Sequence, residues 1–165
     1  MNISYIDTKK REDFPEFEEL FELVESFMGY LPNSYLLMAD KPELLEAFAK
    51  MSAAVFNTVS LDMQSKQLIA LASSLSSGCK YCQSHTSHGA ERAGVTNDKI
   101  ADILNYQNSE HYQPEEKALL DLAFASGEVP NGATKIHFDN LGKYYSKQQI
   151  VDMVSVISFF GFLNQ

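Results

Sequence analysis

The chain has 165 residues and a formal charge of −9, from 13 Lys and Arg against 22 Asp and Glu. Hydrophobic residues make up 45% and charged residues 21%, so a folded domain with a real core is expected and disorder is not. No run of Lys or Arg is present to neutralise phosphates, which argues against a nucleic-acid partner and an anionic membrane surface. The opening Met1-Asn2-Ile3-Ser4-Tyr5-Ile6-Asp7 lacks a basic segment followed by an apolar one, so no signal peptide is expected. No apolar run reaches membrane-spanning length, and the chain reads as cytoplasmic.

The spacing of apolar residues predicts an all-α protein, because helical periodicity recurs and sustained alternation does not. The first helix is expected from Asp13 as cap, with Pro15 in its first turn and Gly29 and Pro32 at its end. Its stripe is Phe14, Phe17, Leu20, Phe21, Val24 and Phe27 or Met28. A short helix follows Asn33. Asp40 caps a third, with the stripe Leu44, Leu45, Phe48, Met51 and Val55. A fourth runs from about Leu61 to Leu75, with Gln67 to Ala72 as its apolar middle. Ser73, Ser74, Ser76, Ser77 and Gly78 mark a break. A helix restarts near Cys79 and closes at Gly94. Thr96 caps a helix ending near Leu104, and Asn105 to Gln113 reads as a loop. Pro114 opens the next helix, Gly127 to Gly132 is a second loop, and Thr134 caps a short helix through Leu141. The last helix, capped by Ser146 and running from Ile150 to Leu163, is apolar nearly all round. Such a helix is expected in the core or against another subunit.

Chemistry concentrates in Ser77-Gly78-Cys79-Lys80-Tyr81-Cys82-Gln83-Ser84-His85-Thr86-Ser87-His88. Two cysteines three apart at a helix start share a face. Unpaired N–H groups and the positive end of the helix dipole favour thiolate there. A thiolate attacks a peroxide or disulfide, and a second thiol in reach resolves the product. His85, three residues after Cys82, is placed to take the thiol proton or to stabilise the thiolate. His88 rotates further round the helix and is the weaker candidate.

Inert core cysteines are the bland alternative, since cysteine packs as a small hydrophobe. Cys79, Cys82, His85 and His88 also resemble four zinc ligands, but one helix cannot close a tetrahedron. His111 and His137 are the remaining histidines and read as surface or loop residues. A thioredoxin fold is disfavoured because no βαβ pattern precedes the CxxC. No metal and no cofactor is expected.

Gln67 to Ala72, Gly78-Cys79-Lys80-Tyr81-Cys82 and His85-Thr86 resemble the alkylhydroperoxidase D-like, or carboxymuconolactone decarboxylase, family. Pro32-Asn33-Ser34, Pro42 to Phe48 and Ile157 to Asn164 are similar to one branch of it. The resemblance implies an alkylhydroperoxidase D-like helical fold in one domain over residues 1–165, with 1–57 as an N-terminal helical extension packed on the core. It implies homo-oligomers, trimers or hexamers, a peroxide substrate and a dithiol protein reductant. It also implies Cys82 as peroxidatic thiol, Cys79 as resolving thiol and His85 as proton relay, hence a thiol-dependent peroxidase or disulfide reductase. The alternative is a non-enzymatic redox-sensing or scaffolding oligomer.

Two departures from the pattern stand out. Gln67 occupies a position where peroxidatic relatives carry glutamate, and glutamine cannot relay a proton. Asp62 is a conceivable substitute. The histidine of better-known members falls where this chain has Thr86. Relatives in this branch also continue past the last helix with a polar segment, which predicts an altered site wall or interface here.

Overall fold

The structure, a computed structural model, describes residue 7 and residues 9–164. Most of the stretch behind the leader reading, and Gln165 at the end, lie outside the described residues. Within the described residues there is no strand, and the chain is all-α, as the periodicity predicts. It divides into two compact units, residues 1–53 and 54–165.

In the first unit, single 3-10 turns at Arg11–Asp13 and Pro15–Phe17 precede helix α1, Glu18–Met28. The expected cap at Asp13 is displaced. Its carboxylate instead accepts the Lys10 N–H at 2.9 Å and caps the 3-10 turn. Arg11 then forks onto Glu18, at 2.6 to 3.0 Å, and Glu25, at 2.6 Å, which pins the entry to α1 across two of its turns. Gly29 ends α1 at φ 81°, a left-handed conformation that disfavours a side chain. Helices α2, Asn33–Ala39, and α3, Pro42–Phe56, follow. Phe14, Phe17, Phe21, Val24, Leu45 and Phe48 are buried, and Tyr35 meets Phe48 edge-on at 5.4 Å. The predicted stripes were too wide: Phe27 is 71% exposed, and Leu44 and Met51 are each 40% exposed.

The second unit is built round α4, Met63–Ser76, which packs against α5 (Lys80–Arg92), α7 (Pro114–Gly127) and α9 (Lys147–Leu163). Leu68 to Ser74 are all buried, because α4 has neighbours on most sides. Ala70 and Ala72 let those neighbours approach, and the larger Leu68, Ile69 and Leu71 each contribute roughly 1.5–3 kcal/mol of burial. Helix α6, Asn97–Ala101, continues into a 3-10 turn at Ile103–Asn105, and α8 is Lys135–Leu141.

Side-chain caps start several of these helices, at Thr96 and Ser146 as expected. Asp62 accepts the Ser65 N–H at 2.9 Å, Thr96 the Lys99 N–H at 3.4 Å and Ser146 the Gln149 N–H at 3.3 Å. On α8 the reciprocal half of the capping box comes from His137, whose Nδ1 accepts the Thr134 N–H at 3.0 Å.

Lys66 is the unexpected core residue. It is 1% exposed, and its Nζ donates to the carbonyls of Phe56, at 2.8 Å, and Thr58, at 2.7 Å. Burial pushes its pKa down, opposed by the charges of Asp152 and Asp62. Asp152, buried on α9, accepts from the Ser60 hydroxyl and from Gln148. Its pKa is lowered chiefly by the Ser60 hydrogen bond. The segment 56–60 is therefore tied to α4 and α9 at once.

Helix α9 is buried along Asp152, Met153, Val156, Phe159 and Phe160. Its opposite side is also apolar and remains open: Val151 is 56% exposed, Phe162 52% and Val154 37%. The all-round hydrophobicity thus splits into a core face and a surface face.

Candidate functional site

The break before the cysteines is a tight reversal. Ser77 N–H bonds to Ser73 O, Gly78 N–H to Leu75 O, and Gly78 adopts φ 72°. A Cβ on Gly78 would meet nothing within 4 Å, so glycine is required here by conformation and not by space. Cys79 follows in extended conformation as the N-cap of α5. Its Sγ accepts the Cys82 N–H at 3.4 Å, the role a Ser or Asp usually takes. Both cysteines are free thiols on the first turn of one helix, Cys79 half-buried and Cys82 buried.

The reversal makes α4 and α5 an antiparallel pair. Gln83 Nε2 donates to Ser74 O at 3.2 Å near the turn. Two helical turns on, Gln67 lies over Gly89. A Cβ there would come within 2.5 Å of Gln67 Oε1, so glycine at this position makes room for the Gln67 amide. Gly89 lies seven residues after Cys82 and so shares its face of α5. Gln67 therefore faces the helix that carries the cysteines.

The C-terminal turn of α9 reaches the same place. Cys82 Sγ–H donates to Leu163 O at 3.5 Å. Asn164 Nδ2 lies 3.4 Å from both Ser73 O and Ser77 Oγ. Cys82 is thus 6% exposed, between the start of one helix and the end of another.

This position changes its electrostatics. Burial, followed by the hydrogen bond and charge of Cys79, pushes the Cys82 thiol up to about 12. Burial thus opposes the thiolate that a helix start favours. His85 has its pKa lowered by burial and then by the charge of His88, so it is a neutral base. Its ring packs against Tyr81, with centroids 4.1 Å apart.

Thr86, at the family's histidine position, is buried and spends its hydroxyl on the Cys82 carbonyl at 2.7 Å. Asp62 is taken as the cap of α4, bonded to both the amide and the hydroxyl of Ser65. It does not replace the missing glutamate. Among the described residues no group of three or more His, Cys, Asp or Glu side chains is placed to hold a metal ion. Leu163, Asn164 and Ser73 are parts of the site that sequence reasoning did not assign. Spacing carries no signal for a contact 81 or more residues distant.

The model of the carboxymuconolactone decarboxylase family matches residues 42–125, which include the whole reversal and both cysteines. The chain belongs to that family. A crystal structure of a C82A variant of the debrominase Bmp8 in complex with 2,3,4-tribromopyrrole is similar at 35% identity. It covers 99% of this chain and 87% of that one, with a TM-score of 0.91. A peroxidase-related protein from Ralstonia eutropha JMP134 with an alkylhydroperoxidase AhpD core shares the fold. Its TM-score is 0.81, at 22% identity over 99% of this chain and 88% of that one. The uncharacterized protein YdfG of Bacillus subtilis (strain 168) is 25% identical over 134 residues, 81% of this chain and 84% of its own. No helix among the described residues is long and apolar enough to cross a membrane.

Proposed function

We propose that this family member is a dithiol oxidoreductase in which Cys82 takes an electrophilic atom from a small substrate and Cys79 resolves the product. The observation that carries the reading is the N-cap contact: Cys79 Sγ sits on the Cys82 N–H at 3.4 Å, so both thiols occupy one helical turn. In turnover, the Cys82 thiolate would attack the electrophilic atom X of a substrate. The bond to X breaks, and its electron pair leaves with the remainder, which takes up a proton. Cys79 then attacks the Cys82 sulfur, X departs as its anion, and a disulfide forms. Two electrons pass from the dithiol to the substrate, and an external dithiol restores the pair. His85, neutral and one turn beyond Cys82, is the group assigned to accept and return the proton.

Two substrate classes satisfy this balance. With a hydroperoxide, X is oxygen and the products are an alcohol and water, the antioxidant reading that the AhpD-like fold supports. With a bromoarene, X is bromine and the products are the arene and bromide. Similarity to the debrominase over nearly the whole chain favours the second class. So does Gln67, whose amide cannot relay the proton that a peroxidatic glutamate would. The exposed apolar side of α9 supports a homo-oligomer.

The test supplies reduced protein and a dithiol with either 2,3,4-tribromopyrrole or an alkyl hydroperoxide. Bromide release or peroxide loss is followed in wild type, Cys82→Ser and Cys79→Ser. Bromide release dependent on both cysteines is the expected result. Rates unchanged in Cys82→Ser would sink the dithiol reading, and peroxide loss alone would assign the first class.

A further inference from the structure

Cys82 presents a contradiction if its thiol is to react. Cys82 is buried, at 6% exposure. The last turn of α9 lies against this site. Leu163 O accepts the Cys82 thiol proton at 3.5 Å. Asn164 Nδ2 lies within 3.4 Å of Ser73 O and Ser77 Oγ, at the end of α4 just before the reversal at Gly78. The Asn164 amide completes the helix onto Phe160 O at 2.8 Å. Gly161 carries no side chain and its Cβ position faces open space, and Phe162 is 52% exposed.

We infer that the Leu163–Asn164 turn is a gate over Cys82, latched by the Asn164 side chain and by the reduced thiol itself.

Two features suit it to opening. The latch is incompletely satisfied: Asn164 Oδ1 and the Ser73 hydroxyl are buried there without a hydrogen-bond partner. Opening would return both to water and so recover part of its own cost. The latch also depends on redox state. When Cys82 joins Cys79 in a disulfide, its S–H donor is gone and Leu163 O loses its partner. Oxidation would therefore release the turn and expose the disulfide to an incoming reductant, and reduction would close it. Asn164 is in this sense a positioning residue that sets access to the thiol. The latch is a property of the fold, and only its consequence for turnover rests on Cys82 being the attacking group.

The experiment measures alkylation of Cys82 by N-ethylmaleimide in a Cys79→Ser background, by intact mass, with and without Asn164→Ala. The second substitution should raise the rate at least fivefold while circular dichroism and the melting transition of the two proteins agree. Ser77→Ala, which removes one of the two acceptors, should give a smaller rise and decides the matter if Asn164→Ala unfolds. Equal rates in all three would overturn the gate. So would a rise matched by faster amide exchange throughout α9, since that reports general loosening. For the redox link, hydrogen exchange of residues 156–164 is compared in reduced and diamide-oxidised wild type. Exchange at least threefold faster after oxidation is expected, and equal exchange would overturn the link. A protein that labels faster as Asn164→Ala yet consumes neither tribromopyrrole nor hydroperoxide keeps the gate and loses the enzymatic reading.

Discussion

Raising the pH should separate Cys82 from an ordinary cysteine. Its thiol is held at about 12 against an ordinary 9.0, first by burial and then by Cys79. At pH 9 an unfolded chain has about half of this thiol ionised. Three pH units imply that the folded chain has about 1,000-fold less than a fully ionised thiol. The assay is iodoacetamide labelling of the Cys82 peptide, followed by mass spectrometry, in native buffer and in urea. In urea the rate should level off above pH 9 to 10. In the folded protein it should climb about tenfold per pH unit to pH 11 or beyond. The same shift acts on stability, and its sign follows from proton binding. A thiol whose folded pKa is raised keeps its proton where the unfolded chain has lost it. Its contribution is intact below about pH 9 and is lost as pH rises towards 12. The melting temperature of the wild type should thus fall more steeply above pH 9 than that of Cys82→Ala. A folded labelling rate at pH 9 within tenfold of the unfolded rate would refute the reasoning, as would a plateau near pH 9 in both.

Cys79→Ser should leave Cys82 without its resolving partner, so hydroperoxide treatment should accumulate a Cys82 sulfenic acid that dimedone traps, whereas wild type should yield the disulfide. Gln67→Glu is isosteric and supplies a carboxylate facing α5. Hydroperoxide consumption should rise about tenfold or more, and an unchanged rate would show that a carboxylate at position 67 does not govern peroxide turnover. Lys66→Met should strand the carbonyls of Phe56 and Thr58. The expected loss is about 3 kcal/mol, or roughly 6–12 °C in melting temperature by differential scanning calorimetry. A shift under about 3 °C would show that water satisfies those carbonyls instead.

Much of the fold was legible because its signals are local. Capping residues act within three or four positions, so Thr96 and Ser146 marked helix starts correctly. The displaced start of α1 shows the limit. Asp13 is a good cap, yet Arg11 drew the chain into 3-10 turns by bonding to Glu18 and Glu25 seven and fourteen residues on. Burial was legible only in part. Hydrophobic periodicity nominated Leu44, Met51 and Phe27 as readily as Leu45, Phe48 and Phe21, and packing alone distinguished them. Lys66 escaped notice because a charged residue enters a core only where partners are waiting, here two carbonyls of another segment.

The cysteines divide in the same way. By itself the sequence determined that two thiols stand one helical turn apart after a serine- and glycine-rich reversal, because three-residue spacing on a helix fixes their common face. Their protonation was decided by the tertiary structure. The helix start that favours a thiolate is local, but the burial that opposes it includes packing on other elements, among them Leu163, 81 residues away. Desolvation depends on every atom that displaces water, whatever its place in the sequence. The tertiary packing around Cys82, the end of α9 included, therefore opposes the thiolate.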